Sequence, residues 1–342
     1  MDQVMDALVL HGPGDYRWET AWPLPSIPEG WALVEVMAAG ICGSDLPRLM
    51  STGVYHHPII LGHEFAGRVA VGTGRWQPGD RVAVLPIIPC GNCRGCAVGP
   101  FHCGRYDFIG SRRDGGFARY CAVPAANLFS LPDSISYVEG AFIEPIAVTL
   151  HLLRRSGMQP GARVLVFGGG SIGILAAQWA KILGAGEIVL ADIRDESLAV
   201  AHLCGLKQTV NPRSEDFSRI GPFDLVIEAA GATAALLAGI EQAAACGTMA
   251  IVGRETRDTV IPVASFERLM RKELRLLGSW GYDLREDEDL LRRELAAGSF
   301  VLKPMVTQHV PLRDGIGLIA KMWRHEMFYC KVLLAMDGGS SC

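Results

Sequence analysis

The 342-residue chain is too long for one ordinary core and fits two domains, each able to bury its own apolar interior. A formal charge of −4 provides no basic field for a nucleic acid or an anionic membrane surface, so the expected partner is a small molecule. The first twenty residues carry Asp2, Asp6, Asp15 and Glu19 without a basic stretch leading into an apolar core, so no secretory signal is expected and the chain is placed in the cytoplasm. The most apolar stretch, 164–191, is broken by glycines, Lys181 and Glu187, which suits a buried strand-helix-strand unit and not a membrane span.

From the N-terminus to about residue 140, short apolar runs such as 32–37 and 65–71 alternate with glycine and proline, the pattern of an irregular, mostly β domain. Gln77-Pro78-Gly79-Asp80 is a turn feeding a strand over 81–84. From about 160 the rhythm changes to strands followed by helical stretches, with strands expected at 164–167, 187–191, 223–229, 248–252 and 273–277. That alternation predicts a parallel, doubly wound α/β sheet. After Trp280 come an acidic helical run (286–296), a strand at 306–310, a helix near 316–325 and a last strand, 331–334. This tail is expected to return to the first domain, giving a discontinuous β-rich domain over 1–150 and 285–342 around a nucleotide domain over 151–284.

Three motifs carry chemistry. Cys90, Cys93, Cys96 and Cys103 place four thiols within fourteen residues, which predicts a closed tetrahedral zinc site that shapes a loop and does no chemistry. The other cysteines, Cys121, Cys204, Cys246, Cys330 and Cys342, lack metal spacing and are expected to be packing or surface thiols, not disulfides. Gly40-Ile41-Cys42-Gly43-Ser44-Asp45 and Gly62-His63-Glu64 offer a thiolate, an imidazole and a carboxylate. Spacing alone does not bring those three together, and singly each reads as a buried cysteine or a capped turn.

The third motif is Gly168-Gly169-Gly170-Ser171-Ile172-Gly173, lying between an apolar strand and a helical stretch as the dinucleotide fingerprint requires. Gly168 allows the tight turn, Gly170 lets backbone N–H groups approach a pyrophosphate, and Gly173 brings helix close to strand, with Ser171 and Ile172 at the helix start. Asp192 ends the next strand, 19 residues after Gly173. A carboxylate there accepts ribose hydroxyls and repels a 2′-phosphate, which predicts NAD over NADP, with Arg194 placed to stack on adenine.

Gly62-His63-Glu64, the cysteine quartet, the glycine turn and Glu144-Pro145, in this order, resemble the zinc-containing medium-chain dehydrogenases over essentially the whole chain. The stretches 42–48, 106–117 and 271–280 resemble in particular the polyol-phosphate dehydrogenases of that family. The resemblance implies a GroES-like catalytic domain and a Rossmann domain with the active site in the cleft between them, two zinc ions per chain, and NAD. It implies a reactive zinc on Cys42, His63 and Glu64, with Glu144 a further ligand or one exchanging with water, and Ser44 as first proton acceptor. It also implies homodimers or homotetramers built on Rossmann edges. One departure stands out: many relatives extend the proton relay through a histidine soon after the serine, where this chain has Leu46 and Pro47.

The implied reaction is hydride transfer from a secondary hydroxyl of a polyol phosphate, galactitol 1-phosphate-like, to NAD, yielding a ketose phosphate such as tagatose 6-phosphate. Arg48, Ser111, Arg112 and Arg113 are the candidates for the phosphate, since guanidinium forks pair bidentately with its oxygens. Cys42 and Glu64 together balance the charge of a zinc ion, which softens it and favours a substrate that chelates through two hydroxyls. A sorbitol-type dehydrogenase on unphosphorylated polyols and a threonine-type dehydrogenase share these motifs, whereas a zinc-free quinone reductase or a non-enzymatic binder would lack Cys42 and the His63-Glu64 pair.

Overall fold

In the computed structural model, which describes residues 4–217 and 220–336, the apolar alternation along 32–37 lies in the strand Trp31–Ile41. Asp2 and Cys342 lie outside the described residues. Val34 and Val36 are buried with Val69, Val82 and Phe65 because successive strand side chains alternate faces and one face packs on the core. Trp31–Ile41 is the organising strand of a seven-stranded sheet. One edge pairs antiparallel with Glu64–Val71, and the other is shared: its first half pairs with Tyr120–Pro124 and its second half with Lys331–Ala335. Val306–Pro311 joins Lys331–Ala335 in parallel through the crossover helix Gly315–Trp323, and Arg81–Val84 follows the predicted turn. A smaller three-stranded sheet is formed by Asp15–Pro23, Val4–Gly12 and Ile59–Ile60.

The second unit is a six-stranded parallel sheet, ordered Gln208–Val210, Glu187–Ala191, Arg163–Phe167, Phe223–Glu228, Ala243–Ile251, Arg275–Gly278. Numbered within the unit this is 3-2-1-4-5-6, the doubly wound dinucleotide order. Leu165, Val166, Val226 and Ile227 are fully buried, as expected of strands covered on both faces by helices. The short strand Gln208–Val210 carries too few residues for a sequence signal and was not anticipated.

The two units comprise residues up to Glu144 with those from Val306 onward, and Pro145–Met305. The tail beyond Trp280 therefore returns to the β-rich unit only at Val306, not at 285. The reason is a set of contacts that the acidic run does not advertise. Asp287 pairs with Arg154 at 2.8 Å, Gln178 exchanges hydrogen bonds with the Val301 backbone, and Phe300 packs edge-on to Trp179 with ring centres 5.0 Å apart.

Candidate active site

Trp31–Ile41 delivers Cys42 at its C-terminal end, and the chain turns there because the Cys42 N–H donates to Asp45 Oδ2 (3.1 Å) while the Asp45 N–H donates back to the Cys42 carbonyl (3.0 Å). Within this turn the Ser44 N–H and Oγ–H both donate to Cys42 Sγ, at 3.4 and 3.3 Å. The neighbouring strand begins at Glu64, directly opposite Gly40. A Cβ at Gly40 would sit 2.6 Å from Glu64 Oε2, so any larger residue there would force that carboxylate to shift. Adjacent strand ends thus bring one ligand atom each of Cys42, His63 and Glu64 within 4.8 Å of one another. Glu144, in the first turn of the helix Ile143–Ser156, is not part of that close triad.

Charge in this pocket is dense and buried. Asp45 has no exposed surface, and its Oδ1 lies 3.3 Å from His63 Nδ1. Neither atom has a hydrogen-bond partner, so they face each other electrostatically without forming an aligned bond. Burial opposes a charged His63, but Asp45 and the Cys42 thiolate override it and raise the imidazole well above its ordinary value. Glu64 Oε2 accepts from Lys331 Nζ at 2.5 Å, with both side chains buried. Burial, with Glu64 nearby, pushes Glu144 up to about 7 against the pull of His63 and Lys331.

The donor set fits zinc: a soft thiolate, an imidazole with a carboxylate beside its Nδ1, and a further carboxylate, the composition of an open site. The cysteine quartet fits it too, as a closed set. The four sulfurs lie within 4.8 Å of one another, with Cys93 and Cys96 3.5 Å apart. The Asn92 backbone and Cys103 lower the Cys90 thiol to about 6, while burial and Cys93 push Cys96 up to about 11.

In the parallel sheet, Gly168 has φ +104° and a Cβ at Gly173 would lie 1.8 Å from the Gly168 carbonyl oxygen, so turn and helix meet through both glycines. Gly170 caps the helix Ser171–Ile182, whose first backbone N–H groups, those of Ser171, Ile172 and Gly173, point out of the turn. Asp192 Oδ2 accepts from the Gly169 N–H (2.6 Å) and Oδ1 from the Arg194 N–H (2.8 Å). Asp192 is therefore also a clamp on the glycine turn, with acceptor positions remaining on both oxygens.

Residues 28–133 match the alcohol dehydrogenase GroES-like domain and residues 171–297 match the zinc-binding dehydrogenase model. Galactitol 1-phosphate 5-dehydrogenase of Escherichia coli K12 is 42% identical over 258 residues, 72% of this chain and 75% of the relative. The chain belongs to the zinc-binding dehydrogenase family. Sorbitol dehydrogenase of Bacillus subtilis is 35% identical over 75% of this dehydrogenase and 77% of the relative. The crystal structure of galactitol-1-phosphate dehydrogenase from Escherichia coli superposes with a TM-score of 0.89 at 34% identity, covering 97% of this chain and 100% of that one. The expected pairing of a GroES-like domain with a Rossmann sheet is thus confirmed, and the dehydrogenase is an oxidoreductase of the zinc type.

The four candidates for a substrate phosphate have different partners in this dehydrogenase. Arg48 Nη1 donates to Ser44 Oγ at 3.2 Å and lies 3.6 Å from Asp45 Oδ1, with a quarter of its side chain exposed. Ser111 is buried. The Arg112 guanidinium is sandwiched between the rings of Tyr55 (4.0 Å) and Tyr106 (4.4 Å), and Arg113 pairs with Asp107 over the Trp31 ring. Arg48 alone adjoins the Cys42 turn. Two site residues escaped the sequence reading. Asp45 was visible in the Cys-Gly-Ser-Asp turn but given no role, and Lys331 was signalled only as a cation opening an otherwise apolar final strand.

No helix among the described residues is long and apolar enough to cross a membrane. Cys121, Cys204 and Cys330 are buried thiols and Cys246 an exposed one.

Proposed function

We propose that this dehydrogenase oxidises a secondary hydroxyl of a polyol phosphate, galactitol 1-phosphate-like, to a ketose phosphate such as tagatose 6-phosphate, with NAD as acceptor. The observation that carries the proposal is the meeting of Cys42, His63 and Glu64 beside a serine that is itself hydrogen-bonded to an arginine. Zinc held by those three residues would supply Lewis-acid polarisation of the hydroxyl, and NAD the hydride acceptor. Glu144, buried and easily neutralised, suits a ligand that exchanges with water better than a permanent one.

Ser44 Oγ takes the hydroxyl proton while its own proton passes to solvent water. A guanidinium offers donors and no acceptor, so Arg48 provides no relay step. Its role is positional: it fixes the Ser44 hydroxyl and presents its remaining N–H donors to a phosphate. In the Rossmann sheet the N-terminus of Ser171–Ile182 takes the pyrophosphate and Asp192 the ribose hydroxyls, which favours NAD, while Arg194 covers the adenine. The cysteine quartet holds the second, structural zinc.

A second copy of the chain is the partner suggested by the sheet edge. Arg275–Gly278 is the terminal strand, with Leu276 and Trp280 exposed, and the neighbouring helix Val263–Arg271 exposes Val263, Phe266 and Met270 on one face. Strand addition across this edge would bury both. Leu276→Lys should shift the species seen by light scattering to monomer; unchanged mass would refute that interface. Reducing surroundings keep the zinc-binding cysteines as thiols, which supports a cytoplasmic location; recovery in another cell fraction would contradict this.

The 35% identity to sorbitol dehydrogenase supports an unphosphorylated polyol as the second reading. A panel of polyols and their phosphates with NAD⁺, followed by NADH absorbance, separates the two. Higher kcat/KM for the phosphates is expected, and equal or higher values for the free polyols would reject the phosphate assignment.

A further inference from the structure

Lys331 opens the strand Lys331–Ala335, which lies between Trp31–Ile41 and Val306–Pro311, and its neighbour Val332 pairs with Ile41 immediately before Cys42. A lysine in an interior strand, 2% exposed, requires a partner. Its Nζ has one at 2.5 Å, Glu64 Oε2, and lies 5.9 Å from the Phe142 ring centre. Gly40 makes room for the pair, since a Cβ there would collide with that carboxylate oxygen.

A buried ion pair adds little stability compared with apolar residues of similar volume, so fold stability alone gives no reason for a cation here. The local charges give one. Asp45 has its own counter-cation in Arg48, 3.6 Å away. Cys42 and Glu64 are the anionic donors of the metal triad, and Lys331 is hydrogen-bonded to one of them.

We infer that Lys331 is a built-in counter-cation for Glu64, which compensates that buried carboxylate when no metal is bound and withholds one negative charge from the metal. The formal balance changes accordingly. Zinc on Cys42, His63 and Glu64 alone would be neutral, whereas with Lys331 counted, and Glu144 left aside as neutral, the group keeps one positive charge. The softening expected from a thiolate plus a carboxylate is thereby offset, and substrate chelation is not needed to compensate. Lys331 acts through Glu64, so it is a positioning residue.

The inference rests on the zinc assignment above, and chelator competition on the two-zinc protein tests both separately. Cys42→Ala should lose one zinc per chain; retention of both would remove the assignment itself. Given that loss, Lys331→Met should bind the Cys42-dependent zinc about tenfold or more tighter than wild type, since a nearby cation has gone. Lys331→Arg should bind like wild type. Equal or weaker binding in Lys331→Met would overturn the inference. The metal-free Tm provides a second measurement independent of zinc affinity: Lys331→Met and Glu64→Gln should each lower it, and the double variant should recover most of the loss. Additive losses would also overturn the inference.

Discussion

Asp45 Oδ1 and His63 Nδ1 face each other across 3.3 Å of buried space, a carboxylate beside an imidazole of the metal triad. Such a partner fixes ring orientation and raises ligand basicity. Asp45→Asn should therefore weaken the Cys42-dependent zinc by roughly 10- to 100-fold. Zinc per chain after dialysis against a graded chelator measures this, and an unchanged release curve would show that Asp45 serves the turn only.

Arg48 and the Arg112 pair of stacks should separate cleanly. Arg48→Gln removes charge-assisted bonds to a phosphate and should raise KM for a polyol phosphate by about 10- to 100-fold while leaving KM for the free polyol nearly unchanged, and loss of the Ser44 contact should lower kcat for both substrates alike. Arg112→Gln should instead lower Tm through loss of its contacts with Tyr55 and Tyr106, with little change in KM. The reverse pattern would return the phosphate to Arg112.

With Ser44 as first proton acceptor, Ser44→Ala should slow hydride transfer in a single turnover by about 10²-fold or more. A single-turnover rate equal to wild type would leave the hydroxyl as no more than a donor to Cys42.

Asp192 has two tasks, and one substitution should reveal both. Asp192→Ala frees the Gly169 N–H and removes the ribose acceptor, so KM for NAD should rise while the preference over NADP narrows. An NAD:NADP ratio of kcat/KM equal to wild type would mean that the carboxylate only clamps the glycine turn.

Glu228 is buried at the end of Phe223–Glu228, and its Oε1 accepts from the N–H groups of Ala230 (3.0 Å) and Ala232 (3.3 Å). Burial outweighs those bonds and raises its pKa. A carboxyl whose value rises on folding prefers to be neutral in the fold, so its contribution is full at low pH and lost as pH climbs through the folded value. As pH rises from the ordinary carboxyl range, the Tm of wild type should fall relative to Glu228→Gln, which cannot ionise. Parallel Tm curves would contradict this.

How far each feature could be read depended on the range of the interaction behind it. The spacing of Cys90, Cys93, Cys96 and Cys103 and the strand-turn-helix around Gly168 are written in consecutive residues, because turn chemistry and side-chain periodicity act over a few positions. The boundary near residue 305 was not legible, since Asp287, Phe300 and Val301 are held by Arg154, Trp179 and Gln178, far away in the chain. The arginines were equally ambiguous: Arg48, Arg112 and Arg113 are alike as letters, and only packing put one beside Ser44 and the others on aromatic rings.

The amino-acid sequence by itself determined the two kinds of sheet, the ligand types on offer and the nucleotide turn. The tertiary structure alone decided that Cys42, His63 and Glu64 converge, that Asp45 backs the imidazole, and that Lys331 reaches Glu64 from 267 positions away. The physical reason is that strand periodicity is a local property of the chain, whereas the charge balance at a site depends on which strand ends the sheet registers bring together.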